Sequence, residues 1–137
     1  MNRRLVVVLM LAAACATSVH PREFEYAVRP HGAAGTVTVG EQRFAVQELL
    51  AVQDSGYVVL VGGRVAFGPF RLVNNARFRH LGSIVPVNSE GTPAPGRLEQ
   101  LRFASRFPYG IPAPAMAALL RQSQQQAVDT LGVTIRR

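Results

Sequence analysis

Between Gly35 and Leu81 turn signals recur so closely that the chain has room for little besides short strands. Gly40-Glu41, Asp54-Ser55-Gly56, Gly62-Gly63 and Gly68-Pro69 punctuate it, and glycine and proline are the residues that reverse or interrupt a regular backbone. The segments between them have strand character. Thr36 to Val39 is β-branched throughout. Phe44 and Val46 alternate before Leu49, Leu50 and Val52, so Arg43 to Val52 reads as two strands, with a helix left open for Glu48 to Gln53. Tyr57 to Val61 is a return strand, and Arg64 to Phe70 runs outward with Val65, Phe67 and Pro69 on one face. Gly68-Pro69 predicts a bulge or a sheet edge, where no ladder donor is needed. Ala76 to Leu81 is a last short strand.

Successive hairpins this short predict a strongly curved meander, because a small twisted sheet protects its edges by curling or closing. The run from Leu50 to Val73 resembles the central hairpins of SH3-like or Sm-like barrels. The resemblance implies an SH3-like barrel as the alternative to an open meander. It implies no activity, since such barrels host unrelated functions.

Asn88 to Gly96, rich in proline, glycine and polar residues, reads as a loop before a helical tail. Arg97 to Phe107 places Leu98 and Leu101 on one side of a helix and Glu99, Arg102 and Arg106 on the other. Pro108 to Pro112 breaks it. Pro114 suits the first turn of a second helix, on which Met116, Leu119, Leu120, Ser123 and Ala127 form one stripe. Leu131, Val133 and Ile135 alternate, as a strand returning to the sheet would. The class expected is α+β: a curved antiparallel meander or small barrel, two C-terminal helices and a possible last strand.

The N-terminus has a different design. Met1 to Arg4 is positive, and Leu5 to Ala14 is an unbroken apolar run too short to span a bilayer, which takes about 20 residues. That is the layout of a secretory signal peptide. Its end, Leu11-Ala12-Ala13-Ala14-Cys15, is similar to the lipobox of bacterial lipoproteins, with Ala12 where leucine is usual. The resemblance implies that Cys15 carries a diacylglyceryl group, with acyl chains such as palmitate, and becomes the first mature residue. Cleavage at an Ala-x-Ala site, releasing a soluble protein, is the other reading. With Ala16 rather than aspartate after the cysteine, the resemblance implies the outer membrane, facing the periplasm. The expected organisation is a signal peptide at 1–14, a lipidated N-terminus and tether at 15–34, and one β-rich domain at 35–137.

Composition then narrows the chemistry. The chain of 137 residues has no lysine, so its fifteen arginines must also fill ordinary solvated positions, and its formal net charge of +7 says little by itself about a partner. Cys15 is its single cysteine, which leaves no intrachain disulfide and no thiolate metal site. Asp54 sits in a turn and Asp129 suits a cap or surface position; the six glutamates lie in the tether, on turns or on polar faces. His80 is the one histidine inside the predicted fold. No nucleophile, phosphate-binding or zinc motif is present, so neither catalysis nor a cofactor is expected.

One positive feature remains. Arg77 and Arg79 point to the same side of their strand, Arg71 lies just before them, and Arg102 and Arg106 are one turn apart on the first helix. Together they are a candidate anion-binding face for phosphate-bearing lipid or carboxylate-rich cell-wall polymer; nucleic acid is not expected for an exported chain. The expected role is a non-catalytic envelope module, structural or protein-binding. Two alternatives stand beside it: a periplasmic binder of an apolar or anionic small molecule, and an unrecognised hydrolase built around His80.

Overall fold

The computed structural model describes residues 31–80, 83–88, 95–107, 109–133 and 135, so the signal peptide, Cys15 and most of the tether lie outside the described residues. Seven strands follow one another: β1 Gly35–Val39, β2 Gln42–Val46, β3 Glu48–Gln53, β4 Gly56–Val61, β5 Arg64–Pro69, β6 Val73–His80 and β7 Ser83–Asn88. Helices α1 Pro95–Ala104 and α2 Ala113–Gln122 come next, then a two-residue β8, Asp129–Thr130.

The strands form two four-stranded sheets, ordered β2-β1-β6-β7 and β3-β4-β5-β8. All pairings are antiparallel except the parallel contact of β8 with β5, so the α+β class holds. Both sheets share one corner. β2 runs into β3 through a bend at Gln47, whose N–H donates to the Leu60 carbonyl at 2.8 Å. No closed barrel forms among the described residues. β8 lies along part of the outer edge of β5, and β7 along that of β6.

Alternation decides which side chains fill the space between the sheets. Val37, Phe44 and Phe78 come from the first sheet, and Leu49, Tyr57 and Val59 from the second, all essentially inaccessible to water. The Tyr57 ring packs edge-on against Phe70, with centroids 4.8 Å apart, and tilted against Phe78 at 5.3 Å. Helix α1 adds Leu101 and Ala104 to this core, and Leu131 closes it. Beside this core Phe44, Val61 and Ile135 border a cavity of about 450 Å³, together with Gln47 and Arg64.

The second sheet is buried on both faces, which accounts for the continuous apolar run in β4. A register shift between Leu49 and Ala51 turns Leu50 outward, where it joins Val58 and Val65. Met116, Leu119 and Leu120 of α2 cover that layer. The first sheet has no such cover among the described residues. Its outer face carries Thr36, Arg43 and Arg77 instead.

The two strands expected between Arg43 and Val52 form, and Glu48 to Gln53 is the second of them, paired with β4, and not a helix. Of the bulge or sheet edge expected at Gly68-Pro69, the edge is found: Pro69 pairs opposite Gly56 in an unbroken register, and β8 reaches only Ala66 and Phe67 on the other side. Several other local expectations need correction. The first helix stops at Ala104, not Phe107, where Ser105 donates its hydroxyl to the Arg102 carbonyl at 2.6 Å. The second stops at Gln122, which leaves Ala127 exposed outside the helix. Gln125 takes the inward place, exchanging two 2.8 Å hydrogen bonds with the Val65 backbone as a strand residue would. The final strand is Asp129–Thr130 and not Leu131 to Ile135. Those two residues bridge each other across a turn, and Val133 is exposed.

The body begins before Gly35. Residues 32–34 form a strap that joins both sheets and α1: the Ala33 N–H donates to the Ala104 carbonyl at 2.7 Å, the Leu49 N–H to the Ala33 carbonyl at 2.7 Å, and the Arg79 N–H to the Ala34 carbonyl at 2.9 Å. Ala33 is buried. A side chain at Gly32 would place its Cβ 1.8 Å from the Leu49 carbonyl oxygen, so only glycine fits this crossing.

Candidate anion-binding face

The outer face of the first sheet is set by the pairing of β1 with its two neighbours. Phe44 is turned inward on β2, so Arg43 is turned outward, opposite Thr38. On β6, Ala76 and Phe78 are inward and Arg77 and Arg79 outward, with Arg77 opposite Thr36. Arg43, Arg77 and Arg79, all exposed, therefore border one shallow concavity of about 400 Å³, floored by Thr36 and closed at one side by Ala34 of the strap. Guanidinium groups are suited to such a place, since each presents a planar fork of donors to a phosphate or carboxylate.

Only part of the arginine set expected from the sequence comes together here. Arg77 and Arg79 do share the face. Arg71 lies in the turn before β6, at the opposite end of that strand from Arg79. Arg102 is engaged within the molecule: its Nη2 donates to Asp54 Oδ1 at 2.6 Å, and its Nη1 lies 3.8 Å from Glu99 Oε2. Arg106 is past the end of α1, so the two do not stack on one helix. It grips the Glu48 carboxylate with both Nε and Nη2, the latter at 2.7 Å.

That last pair is a structural device. The Glu48 side chain is only 10% exposed and that of Arg106 16%, and the Gly32 N–H also donates to Glu48 Oε1, at 2.8 Å. Burial alone would raise the Glu48 carboxyl. The Arg106 and Gly32 hydrogen bonds, with the Arg106 and His31 charges, outweigh it and hold the group below its ordinary value of 4.5. Glu48 therefore stays ionised and fastens the strap, β3 and the segment after α1 to one point.

Three other acidic groups also lie against arginines. Asp129 accepts from Arg64 Nε at 2.7 Å, and Asp54 and Glu99 face Arg102. Among the described residues no group of three or more histidine, cysteine, aspartate or glutamate side chains is placed to hold a metal ion. The His80 and Cys15 side chains lie outside the described residues.

Arg43 escaped the sequence reading, although the inward Phe44 beside it carried the signal. What was hidden was that β2 and β6 flank the same strand. Comparisons with known protein families, with curated proteins and with solved structures found no match for this chain.

Proposed function

We propose that the chain is an exported lipoprotein, acylated at Cys15, whose body is a non-catalytic module that rests against a bilayer and meets phosphate-bearing headgroups with Arg43, Arg77 and Arg79. One observation carries this reading: the face of the first sheet that the described residues leave uncovered holds three arginines around a concavity that adjoins Ala34, where the N-terminal segment joins the body. A lipid on Cys15 would bring that end of the body to the membrane. The anchor supplies attachment and the arginines supply orientation. One further point supports a non-catalytic role: Glu48, Asp54, Glu99 and Asp129 each lie against an arginine. The reading places the body in the cell envelope, at the periplasmic side of the outer membrane.

Each basic residue close to an anionic surface contributes about 1 kcal/mol, so reversing two of them should weaken association by two orders of magnitude or more, at about 1.4 kcal/mol per tenfold. The test is sedimentation of a lipid-free body beginning at Ala16 with vesicles rich in anionic phospholipid. The parent should bind, less so as salt rises. The Arg77→Glu/Arg79→Glu variant should fail to bind. Equal binding of parent and variant contradicts the assignment, and parent binding that polyglutamate but not phosphate abolishes would move the ligand to a carboxylate polymer.

A further inference from the structure

The segment joining the two helices presents aromatic side chains to solvent. Phe107 is 55% exposed and Tyr109 64%, the largest exposures of any bulky apolar side chains among the described residues apart from Val133, itself 55%. Tyr109 leans on Phe103 of α1, with ring centroids 6.2 Å apart, and Phe107 lies two residues before it in the same segment. The segment is fixed, not trailing. Backbone hydrogen bonds run from the Tyr109 N–H to the Phe107 carbonyl and from the Gly110 N–H to the Arg106 carbonyl. Gly110 adopts φ +125°, and a Cβ there would stand 2.8 Å from the Cβ of Ala51, so the loop is seated on β3 through a position closed to larger residues. Phe107 itself adopts φ +49°, a region that bulky residues rarely occupy.

The course of the chain says what that ring faces. The N-terminal segment enters the body at His31 and Gly32, and its first anchoring points are the Glu48 carboxylate gripped by Arg106 and the carbonyl of Ala104. These are the residues directly ahead of Phe107. From Cys15 to His31 the chain advances sixteen residues, a reach of at most about 55 Å even if fully extended. On the other side of the same strap, the Arg79 N–H binds the Ala34 carbonyl. The strap at the point of entry is thus hydrogen-bonded both to the end of the helix that leads into the aromatic loop and to the strand that carries Arg77 and Arg79. Aromatic rings concentrate at the boundary between headgroups and hydrocarbon, where a planar apolar body with a polar tip is well accommodated.

We propose that Phe107 and Tyr109 insert into the membrane interface as a second, non-covalent attachment beside the acyl anchor. This rests on the lipoprotein reading. Its contribution is orientation: a lipid alone leaves the body free to swivel, whereas loop, anchor and arginines fix one end toward the bilayer.

The chain contains no tryptophan, so Tyr109→Trp creates a single reporter and Val133→Trp a control away from the loop. Each full-length variant is expressed with its own leader, purified from the envelope, weighed intact and reconstituted into vesicles whose acyl chains carry bromine. A product found with a free thiol is coupled through Cys15 to a maleimide headgroup lipid, so the loop is tested whatever the natural modification. We expect the tryptophan at 109 to shift to shorter wavelength and lose at least half its emission to bromolipid, and that at 133 to do neither. An unshifted, unquenched tryptophan at 109 overturns the proposal. So does a blue shift without vesicles that grows with protein concentration, which would assign the loop to a second copy of the chain. A free thiol combined with a quenched tryptophan 109 would sink the lipoprotein reading and leave the loop's affinity for the interface standing.

Discussion

Replacing Arg106 with alanine should lower the stability of the body by about 3 kcal/mol, the usual result of removing one partner from a buried ion pair. In a domain of this size that corresponds to a fall in Tm on the order of 10 °C, measured by thermal unfolding near neutral pH. The cause is not the loss of an attraction alone. Glu48 would remain in a site with little water, accepting only the Gly32 N–H among its present hydrogen bonds. The pH dependence follows from the direction of the Glu48 shift. Its carboxyl titrates below 4.5 in the folded body, so its stabilising contribution is complete above 4.5 and disappears as the pH falls through the folded-state value. Without Arg106, burial is the dominant influence, and the carboxyl should titrate above its ordinary value. The gap between parent and Arg106→Ala should therefore be widest at neutral pH and narrow on acidification, beginning above 4.5 as the carboxyl of the variant takes up its proton and continuing below 4.5 as that of the parent does. A gap independent of pH would show that Arg106 acts by packing alone.

The second large effect should come from Gly32→Ala. One methyl group there meets the Leu49 carbonyl oxygen, a backbone atom fixed in β3, so β3 cannot give way cheaply and the strap must lift. Lifting it opens the hydrogen bonds of Ala33 to Ala104 and of Leu49 to Ala33, and removes the Gly32 N–H from Glu48. A loss of about 2–4 kcal/mol is expected, typical of a steric and hydrogen-bond defect combined at one buried point. Amide exchange should locate the damage: the Ala33 and Leu49 amides lose protection first, while the β4–β5 hairpin keeps its own. Uniform loss across both sheets would contradict a local strap.

These two positions mark what the sequence could and could not disclose. Turn chemistry and period-two alternation placed β1 to β6, because those signals are local and each hairpin closes on its neighbour. The strand β7 went unread: Pro86 interrupts its apolar residues, and proline is tolerated in a strand only where its missing donor does no harm, as on a sheet edge. β8 was misplaced by two residues, since a two-residue parallel contact depends on the exposed edge of β5 and not on its own pattern. The arginines divide along the same line. Arg77 and Arg79 were legible as a pair from alternation alone. The engagement of Arg102 with Asp54 and of Arg106 with Glu48 was not, for the partners lie 48 and 58 residues away. Glycine at position 32 looked like part of a tether; only the closeness of β3 reveals why no other residue fits.

Attachment to the membrane turns on Cys15, and mass spectrometry of the intact protein extracted from the envelope of cells expressing the full chain tests it most directly. A single species that begins at Cys15, lacks residues 1–14 and carries the added mass of a diacylglyceryl group is the result predicted. A product with a free thiol, or one cleaved elsewhere and recovered wholly from the soluble fraction, would contradict it.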